Sequence, residues 1–387
     1  GVEVLDIGLG GTEMVDLATG SLGADGGIMV TASHNPKDYN GLKLVREESR
    51  PISGDTGLVD IKRLAESDER WLAADKGQRL PTDISAAYIE HLLGYVSLAS
   101  LKPMKIVVNP GNGGAGPTLD LLESHLPFEF IKVNYAPDGE FPNGVPNPML
   151  IENRQATSDA VINHGADFGI AWDGDFDRCF LFDESGSFIE GYYIVGLLAQ
   201  SLLANEAGAA IVHDPRLTWN TIEAVNDAGG RIIQSKSGHS FMKEVMRSED
   251  AAYGGEMSAH HYFRDFYYCD SGMVPWMLIA QLVSQRGVPL SQLEAERIAR
   301  FPASGEINRR VDDADAVMAT VWASYQPAAV DSDRVDGISV AFEDWRFNLR
   351  SSNTEPVIRL NVESRGDRAL MQQKTDELLA LIGGEAA

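Results

Sequence analysis

Asp173-Gly-Asp-Phe-Asp-Arg178 places three carboxylates at i, i+2 and i+4 between two apolar runs. Packed together away from water, three such charges repel strongly. A hard cation with oxygen ligands relieves the repulsion, and with few protein ligands and a phosphate nearby Mg²⁺ is favoured over Ca²⁺. A solvated acidic turn is the plain alternative. A calcium EF-hand fits positions one, three and five and places Glu184 at twelve. It fails at position six, where Arg178 stands instead of glycine, and on the flanks, which read as strands rather than helices.

Thr31-Ala-Ser-His-Asn-Pro36 follows a short strand. Taken by itself, Ser33 is a turn residue. Ser33 and His34 are neighbours whose side chains are expected to point apart, so no dyad is read from them. The loop gains weight from the acidic segment, since a serine carrying phosphate needs a cation opposite it. Arg350-Ser-Ser-Asn-Thr354 groups a guanidinium, hydroxyls and an amide in one turn, the donor set that phosphate takes. A polar hairpin is the bland reading there. Lys236-Ser-Gly-His239 joins a strand to a helix, a place where backbone N–H groups suit an anion. Gly254-Gly-Glu-Met-Ser-Ala-His-His261 offers a carboxylate for paired sugar hydroxyls, and His260 or His261 to move a proton. Gly111-Asn-Gly-Gly-Ala-Gly116 matches G-x-G-x-x-G, but Asn134 stands where a ribose-binding acid is expected. Close backbone packing is the better account.

These loops need elements to hold them. The chain begins with Gly1 to Ile7, expected to be a buried strand, followed by a short strand at Gly27 to Thr31 and a polar helical stretch over 55–75. A helix near 83–99 leads into a strand–Gly turn–helix–strand unit over 105–133. A helix near 152–164 and the strands Phe168 to Trp172 and Cys179 to Phe182 complete it. A third unit alternates helices and strands from 191, closed by a helix at 273–286. The last part reads β, α, β, β, β, α, an α+β pattern.

The chain has 387 residues, 44% hydrophobic and 23% charged, which is ordinary for a globular protein. Its 32 Lys+Arg against 57 Asp+Glu give a formal charge of −25. Such a surface repels nucleic acid and acidic membranes, while a local cluster of Arg, Lys and His still accepts an anionic substrate. The longest apolar runs fall far short of the ~20 residues that span a bilayer. Cys179 and Cys269 are the only cysteines, which points to packing in a reducing, cytoplasmic setting rather than a disulfide framework.

Four motifs stand in one order: TASHNP, DGDFDR, GEMSAH and RSSNTEP. With stretches such as YNGLKLVRE, RPISGDTGL and RFNLRSSNTEPVIRLNVESRG they resemble the α-D-phosphohexomutase family, on its phosphomannomutase/phosphoglucomutase branch, over essentially the whole chain. The resemblance implies an α/β fold of three mixed-sheet domains and a smaller C-terminal α+β domain around a central cleft. The expected boundaries are 1–82, 83–187, 188–300 and 301–387. It implies that Ser33 is the phosphoserine, with His34, Lys43, Arg178 and His260 as catalytic partners. Asp173, Asp175 and Asp177 hold Mg²⁺ together with the phosphate on Ser33. Glu256, Ser258 and His260 read the sugar, Arg216 and His239 line the substrate site, and Arg350, Ser352, Asn353 and Thr354 hold the phosphate that is not reacting. Arg216 stands where other members carry Lys. The substrates implied are mannose 6-phosphate, mannose 1-phosphate and a hexose 1,6-bisphosphate, with a role in GDP-mannose supply. Family members also carry an N-terminal stretch with an Arg-Gly loop that this chain lacks, so the first domain is expected to be incomplete.

Overall fold

The computed structural model describes residues 1–69, 73–351 and 357–387. Two compact units emerge, one of residues 1–188 and 260–287, the other of residues 189–259 and 288–387.

In the first unit the strand Met104–Asn109 pairs in parallel with Phe128–Lys132 on one side and with Phe168–Trp172 on the other. Cys179–Phe182 then runs antiparallel to Phe168–Trp172, in register from Gly169↔Phe182 to Trp172↔Cys179. All nine residues of these last two strands are buried, as their unbroken apolar sequence requires. The acidic segment is therefore a tight loop at the end of a buried hairpin. The helix Val274–Arg286 is apolar on every side and correspondingly buried.

The same unit holds the helix Thr12–Ser21 and an antiparallel ladder, Gly26–Val30 against Leu42–Arg46. The second strand is not apparent in the sequence, because its Leu-Lys-Leu-Val run is short and follows turn residues. It matters because it carries Lys43 directly opposite Met29. Gly1 to Ile7 departs from the expected buried strand. Only Val4–Asp6 is extended, paired in parallel with Arg79–Pro81, and Val2 and Val4 are exposed.

Glu13, in the first turn of the helix Thr12–Ser21, is fully buried. It accepts the N–H groups of Gly272 (2.7 Å) and Met273 (3.3 Å) and the hydroxyl of Tyr88. Gly272 also receives the Trp172 indole N–H on its carbonyl at 2.8 Å, so one turn ties Glu13 to the strand that leads into the acidic loop. Burial pushes the Glu13 carboxyl up to about 7, against the bonds donated by Tyr88, Ser271 and Gly272. The folded chain thus keeps a proton that the unfolded chain releases near 4.5. That contribution is complete below about pH 4.5 and is lost as pH rises through about 7, roughly 3 kcal/mol in all at ~1.4 kcal/mol per pH unit. Urea unfolding of Glu13→Gln should show this slope flattened relative to the parent chain. An unchanged slope would assign it to other groups.

In the second unit Ala210–His213 lies parallel to Arg231–Gln234 and to Tyr253–Gly255. The helices Gly191–Leu203, Trp219–Asp227, His239–Glu249 and Leu290–Arg300 accompany them. The last of these is not expected from the sequence. Its polar composition hides the few positions it buries, among them Leu290, Glu294 and Arg297. Residues 307–386 form an antiparallel sheet in the order Asp331–Asp333, Ile338–Ala341, Trp345–Ser351, Val357–Ser364, Ile307–Arg310, Glu385–Ala386. Alternation divides its faces. Val340, Phe347, Leu349, Ile358, Leu360 and Val362 form the core with the helices Ala314–Tyr325 and Arg368–Ile382, whereas Arg346, Asn348, Arg350, Arg359, Asn361 and Glu363 line the opposite face. Among the described residues no helix is long and apolar enough to cross a membrane. Both cysteines are buried and free.

Candidate active site

Two groups of side chains assemble, one in each unit. In the first, the acidic loop brings Asp173, Asp175 and Asp177 together so that one oxygen of each lies within 4.8 Å of the others. All three are buried. The loop is compact because Gly174 admits close neighbours: a Cβ there would stand 2.3 Å from the carbonyl oxygen of Ser33. The serine loop therefore rests directly on the acidic loop.

Ser33 Oγ lies 3.0 Å from Asp173 Oδ2 and donates to it. It also lies 3.0 Å from His34 Nδ1, which corrects the expectation that these neighbours point apart. The reason is local. Ser33 takes a left-handed backbone, φ 53°, stabilised by a 2.8 Å bond from its N–H to Thr31 Oγ1. In an extended chain successive side chains alternate; this left-handed residue brings the two to one side. Arg178 completes the cluster. Its Nε and Nη2 reach Asp173 Oδ2 at 2.8 and 2.7 Å, and Nη2 donates to His34 Nδ1 at 2.6 Å. Burial, aided by the Arg178 charge, holds His34 down at about 4. The imidazole is thus neutral, with Nδ1 as acceptor and its proton on Nε2.

Lys43 Nζ bonds Asp175 Oδ2 at 2.6 Å and also pairs with Asp177 Oδ2. Burial works against its charge, but Asp177 and Asp175 outweigh burial and hold its pKa above the ordinary lysine value. Lys43 is therefore a settled cation in this arrangement, bonded to both carboxylates. Burial raises the Asp173 carboxyl, with Arg178 opposing. At Asp177 burial pulls the same way, yet Lys43 and His260 prevail and lower it. His260 Nδ1 is 2.8 Å from Asp270 Oδ2 and 4.0 Å from Asp177 Oδ1.

The donor set suits a hard divalent cation. Asp175 Oδ1 and Asp177 Oδ1 are buried with no hydrogen-bond partner, and anionic oxygens in that state require a cation. Lys43 bonds only their other oxygens.

Thr12 joins this cluster without any sign of it in the sequence. Its hydroxyl donates to Asp175 Oδ2 at 2.9 Å, its N–H reaches the Asp175 carbonyl at 3.2 Å, and Lys43 Nζ lies 3.1 Å from its Oγ1. Nothing local marks a threonine 163 residues from its partner.

In the second unit Arg216 and the Glu256–Ser258 loop meet. Arg216 Nη2 lies 3.4 Å from Glu256 Oε2 and 3.2 Å from Ser258 Oγ. Asp214, unremarkable in the sequence, sets this arrangement. Its Oδ2 accepts from Arg216 Nη2 at 2.7 Å and from the Met257 N–H at 2.8 Å, and its Oδ1 accepts the Arg216 N–H at 2.9 Å. His239 opens the helix His239–Glu249, and the N–H groups just before it hold carboxylates: Gly238 N donates to Glu256 Oε2 at 3.0 Å and Ser237 N to Asp336 Oδ2 at 3.3 Å. The N–H groups of this turn thus donate to the chain's own carboxylates. Arg350, next to last in the strand Trp345–Ser351, lies near Glu306 (3.6 Å) and Asp336 (3.8 Å). Ser352, Asn353 and Thr354, expected beside it, lie outside the described residues.

Known proteins match the chain over nearly its whole length. Residues 1–70, 86–186 and 190–301 match the phosphoglucomutase/phosphomannomutase alpha/beta/alpha domains I, II and III, and residues 306–380 match the C-terminal domain of that family. A protein of Xanthomonas campestris pv. campestris described as phosphohexose mutases is 61% identical over 384 residues, 99% of this chain and 86% of that protein. A phosphomannomutase of Salmonella montevideo is 61% identical over 389 residues, 99% of this chain and 85% of that protein. Among solved structures, a phosphoglucomutase/phosphomannomutase family protein from Burkholderia thailandensis superposes with a TM-score of 0.86 at 30% identity, covering 100% of this chain and 85% of the other.

Proposed function

The chain belongs to the phosphoglucomutase/phosphomannomutase family of α-D-phosphohexomutases, and we propose that it is a cytoplasmic phosphomannomutase that interconverts mannose 6-phosphate and mannose 1-phosphate. The observation that carries the reading is Ser33 Oγ at 3.0 Å from Asp173, beside two buried carboxylate oxygens with no partner.

In this reading Ser33 carries a phosphoryl group. The P–O bond to Ser33 Oγ breaks as a bond forms from phosphorus to the free 1- or 6-hydroxyl oxygen of a hexose monophosphate. That hydroxyl loses its proton and Ser33 Oγ gains one. The resulting hexose 1,6-bisphosphate returns its other phosphoryl group to Ser33 by the same exchange. Asp173, Asp175 and Asp177 would hold Mg²⁺, which would supply positive charge for the negative transferring group. Arg178, fixed by Asp173 and His34, adds a second positive charge there. Lys43 and His260, the latter oriented by Asp270, are the candidates for acid–base work. Glu256, Ser258, Arg216 and His239 recognise the sugar, and Arg350 with its following loop takes the unreactive phosphate. Supply of mannose 1-phosphate for GDP-mannose is the metabolic role that goes with this activity.

The test is a mutase assay on this chain with Mg²⁺ and a trace of hexose 1,6-bisphosphate. Mannose 1-phosphate and glucose 1-phosphate are run side by side. Faster conversion of mannose 1-phosphate to its 6-phosphate is expected. Preference for glucose 1-phosphate would make the enzyme a phosphoglucomutase, and phosphate release without isomerised sugar would make it a phosphatase.

A further inference from the structure

We propose that Glu13 is a positioning residue for the reaction: its buried carboxylate fixes the turn at 270–273, and that turn holds the acid–base candidate His260 and the loop of Asp173, Asp175 and Asp177 in place. The assignment rests on the proposed roles of His260 and the three aspartates.

Glu13 is out of place as a packing residue. It is fully buried, and the groups that meet its carboxylate are neutral: the N–H of Gly272 at 2.7 Å and of Met273 at 3.3 Å on Oε2, and the Tyr88 hydroxyl on Oε1. A carboxyl buried among neutral donors is costly to keep, and a position that only fills space takes an apolar side chain. The N–H groups it meets open the helix Val274–Arg286 and have no acceptor within that helix. Ser271 Oγ accepts from Met273 and Val274, both at 3.1 Å, and leaves the Gly272 N–H to Glu13. A carboxylate from the first turn of one helix thus caps another.

The turn so held touches the site at several points. Asp270 Oδ2 lies 2.8 Å from His260 Nδ1, and Ser271 N donates to the His261 carbonyl at 3.0 Å, so the segment that carries His260 is fastened twice. The Gly272 carbonyl accepts the indole N–H of Trp172 at 2.8 Å, and Trp172 directly precedes Asp173. A Cβ on Gly272 would collide with the Phe176 carbonyl oxygen and crowd that of Arg178 at 3.1 Å. Those two residues flank Asp177, so the turn rests on the backbone to either side of it. Next to Glu13, Thr12 donates its hydroxyl to Asp175 at 2.9 Å and its N–H to the Asp175 carbonyl at 3.2 Å. Glu13 therefore joins the helix turn that holds Asp175 to the turn that holds His260 and braces the acidic loop around Asp173 and Asp177. Phosphoryl transfer depends on such placement, and a shift of about 1 Å costs on the order of a hundredfold in rate.

Steady-state kinetics and Mg²⁺ calorimetry on the full chain test this with Glu13→Ala, Glu13→Gln and Tyr88→Phe, each measured well below its own melting temperature. Glu13→Ala should lower kcat at least about tenfold, keep KM for mannose 1-phosphate within about twofold, and weaken Mg²⁺ binding at least about threefold. Glu13→Gln keeps an oxygen for the two N–H groups and an amide for the Tyr88 oxygen, so its kcat and Mg²⁺ affinity should lie nearer the parent's. Tyr88→Phe leaves the Gly272 and Met273 bonds intact and decides the matter if Glu13→Ala does not fold. Its kcat should fall about threefold or more with KM unchanged. A lower melting temperature with kcat and Mg²⁺ affinity equal to the parent's would make Glu13 structural only and overturn the proposal. A Glu13→Gln variant as impaired as Glu13→Ala would overturn it too. If the parent bound Mg²⁺ but showed no mutase turnover, the functional reading would fail, and the Mg²⁺ comparison alone would judge Glu13.

Discussion

Ser33→Ala should reduce mutase turnover by at least about a thousandfold, some 4 kcal/mol of lost transition-state stabilisation, while leaving the fold in place. The variant removes the oxygen to which the phosphoryl group is proposed to be attached, so no other contact substitutes for it. The structural consequences are small by comparison. Ser33 is partly exposed; its Oγ donates one bond, to Asp173, and lies 3.0 Å from His34 Nδ1. Asp173 keeps both donors of Arg178, and the Thr31 bond to the Ser33 N–H does not involve the lost oxygen. The left-handed backbone at residue 33 is no harder for Ala than for another residue with a Cβ, so the melting temperature should move by no more than about 2–4 °C. Two measurements decide the matter: turnover, and the mass of the protein after incubation with hexose 1,6-bisphosphate. The parent should gain one phosphoryl group and the variant none. Retained turnover, or an equal gain of mass by the variant, would remove Ser33 from the mechanism.

Asp175→Asn should abolish the response to Mg²⁺. Asp175 is the best position for this test because its carboxylate is divided. Oδ2 is used by Lys43 at 2.6 Å and Thr12 at 2.9 Å, whereas Oδ1 is buried without a partner. Asp173 is tied to Ser33 and Arg178, so its loss would disturb the serine loop as well. The parent chain should gain about 2.7 kcal/mol of stability with Mg²⁺ at a hundred times its dissociation constant. The variant should gain little at the same concentration, with a metal-free melting point closer to the parent's than the metal-induced shift is wide. Activity should fall at least about a hundredfold, because the positive charge facing the transferring group is lost. An unchanged metal-induced shift would mean that these carboxylates are not the metal ligands.

Both Ser33 and Asp175 lie in motifs that are legible in the amino-acid sequence. Spacing marks the acidic loop: three carboxylates on alternate residues between two apolar runs have few uses, and the strands Phe168–Trp172 and Cys179–Phe182 fall where the apolar runs place them. The alternating strands of the last part of the chain and the buried helix Val274–Arg286 are equally plain, because continuous or alternating burial writes itself into composition. Local patterns serve less well where burial is slight. The helix Leu290–Arg300 and the strand Leu42–Arg46 escape them, and the apolar residues of Gly1 to Ile7 suggest a burial that the fold does not provide.

The residues that organise the two clusters are hidden for a different reason. Thr12, Glu13, Asp214 and Asp270 are single polar residues among ordinary neighbours, and their partners lie far along the chain or across a sheet. Even adjacent residues defy a local rule where the backbone is unusual, as the Ser33–His34 contact at φ 53° shows. Composition, periodicity and short motifs establish which chemistry the chain carries, because those properties are local. Which oxygens lack a partner, which lysine faces the carboxylates and which carboxylate meets the Gly272 turn depend on strand register and on approaches as close as that of Gly174 to Ser33. Such approaches exist only once residues separated by a hundred or more positions have packed together.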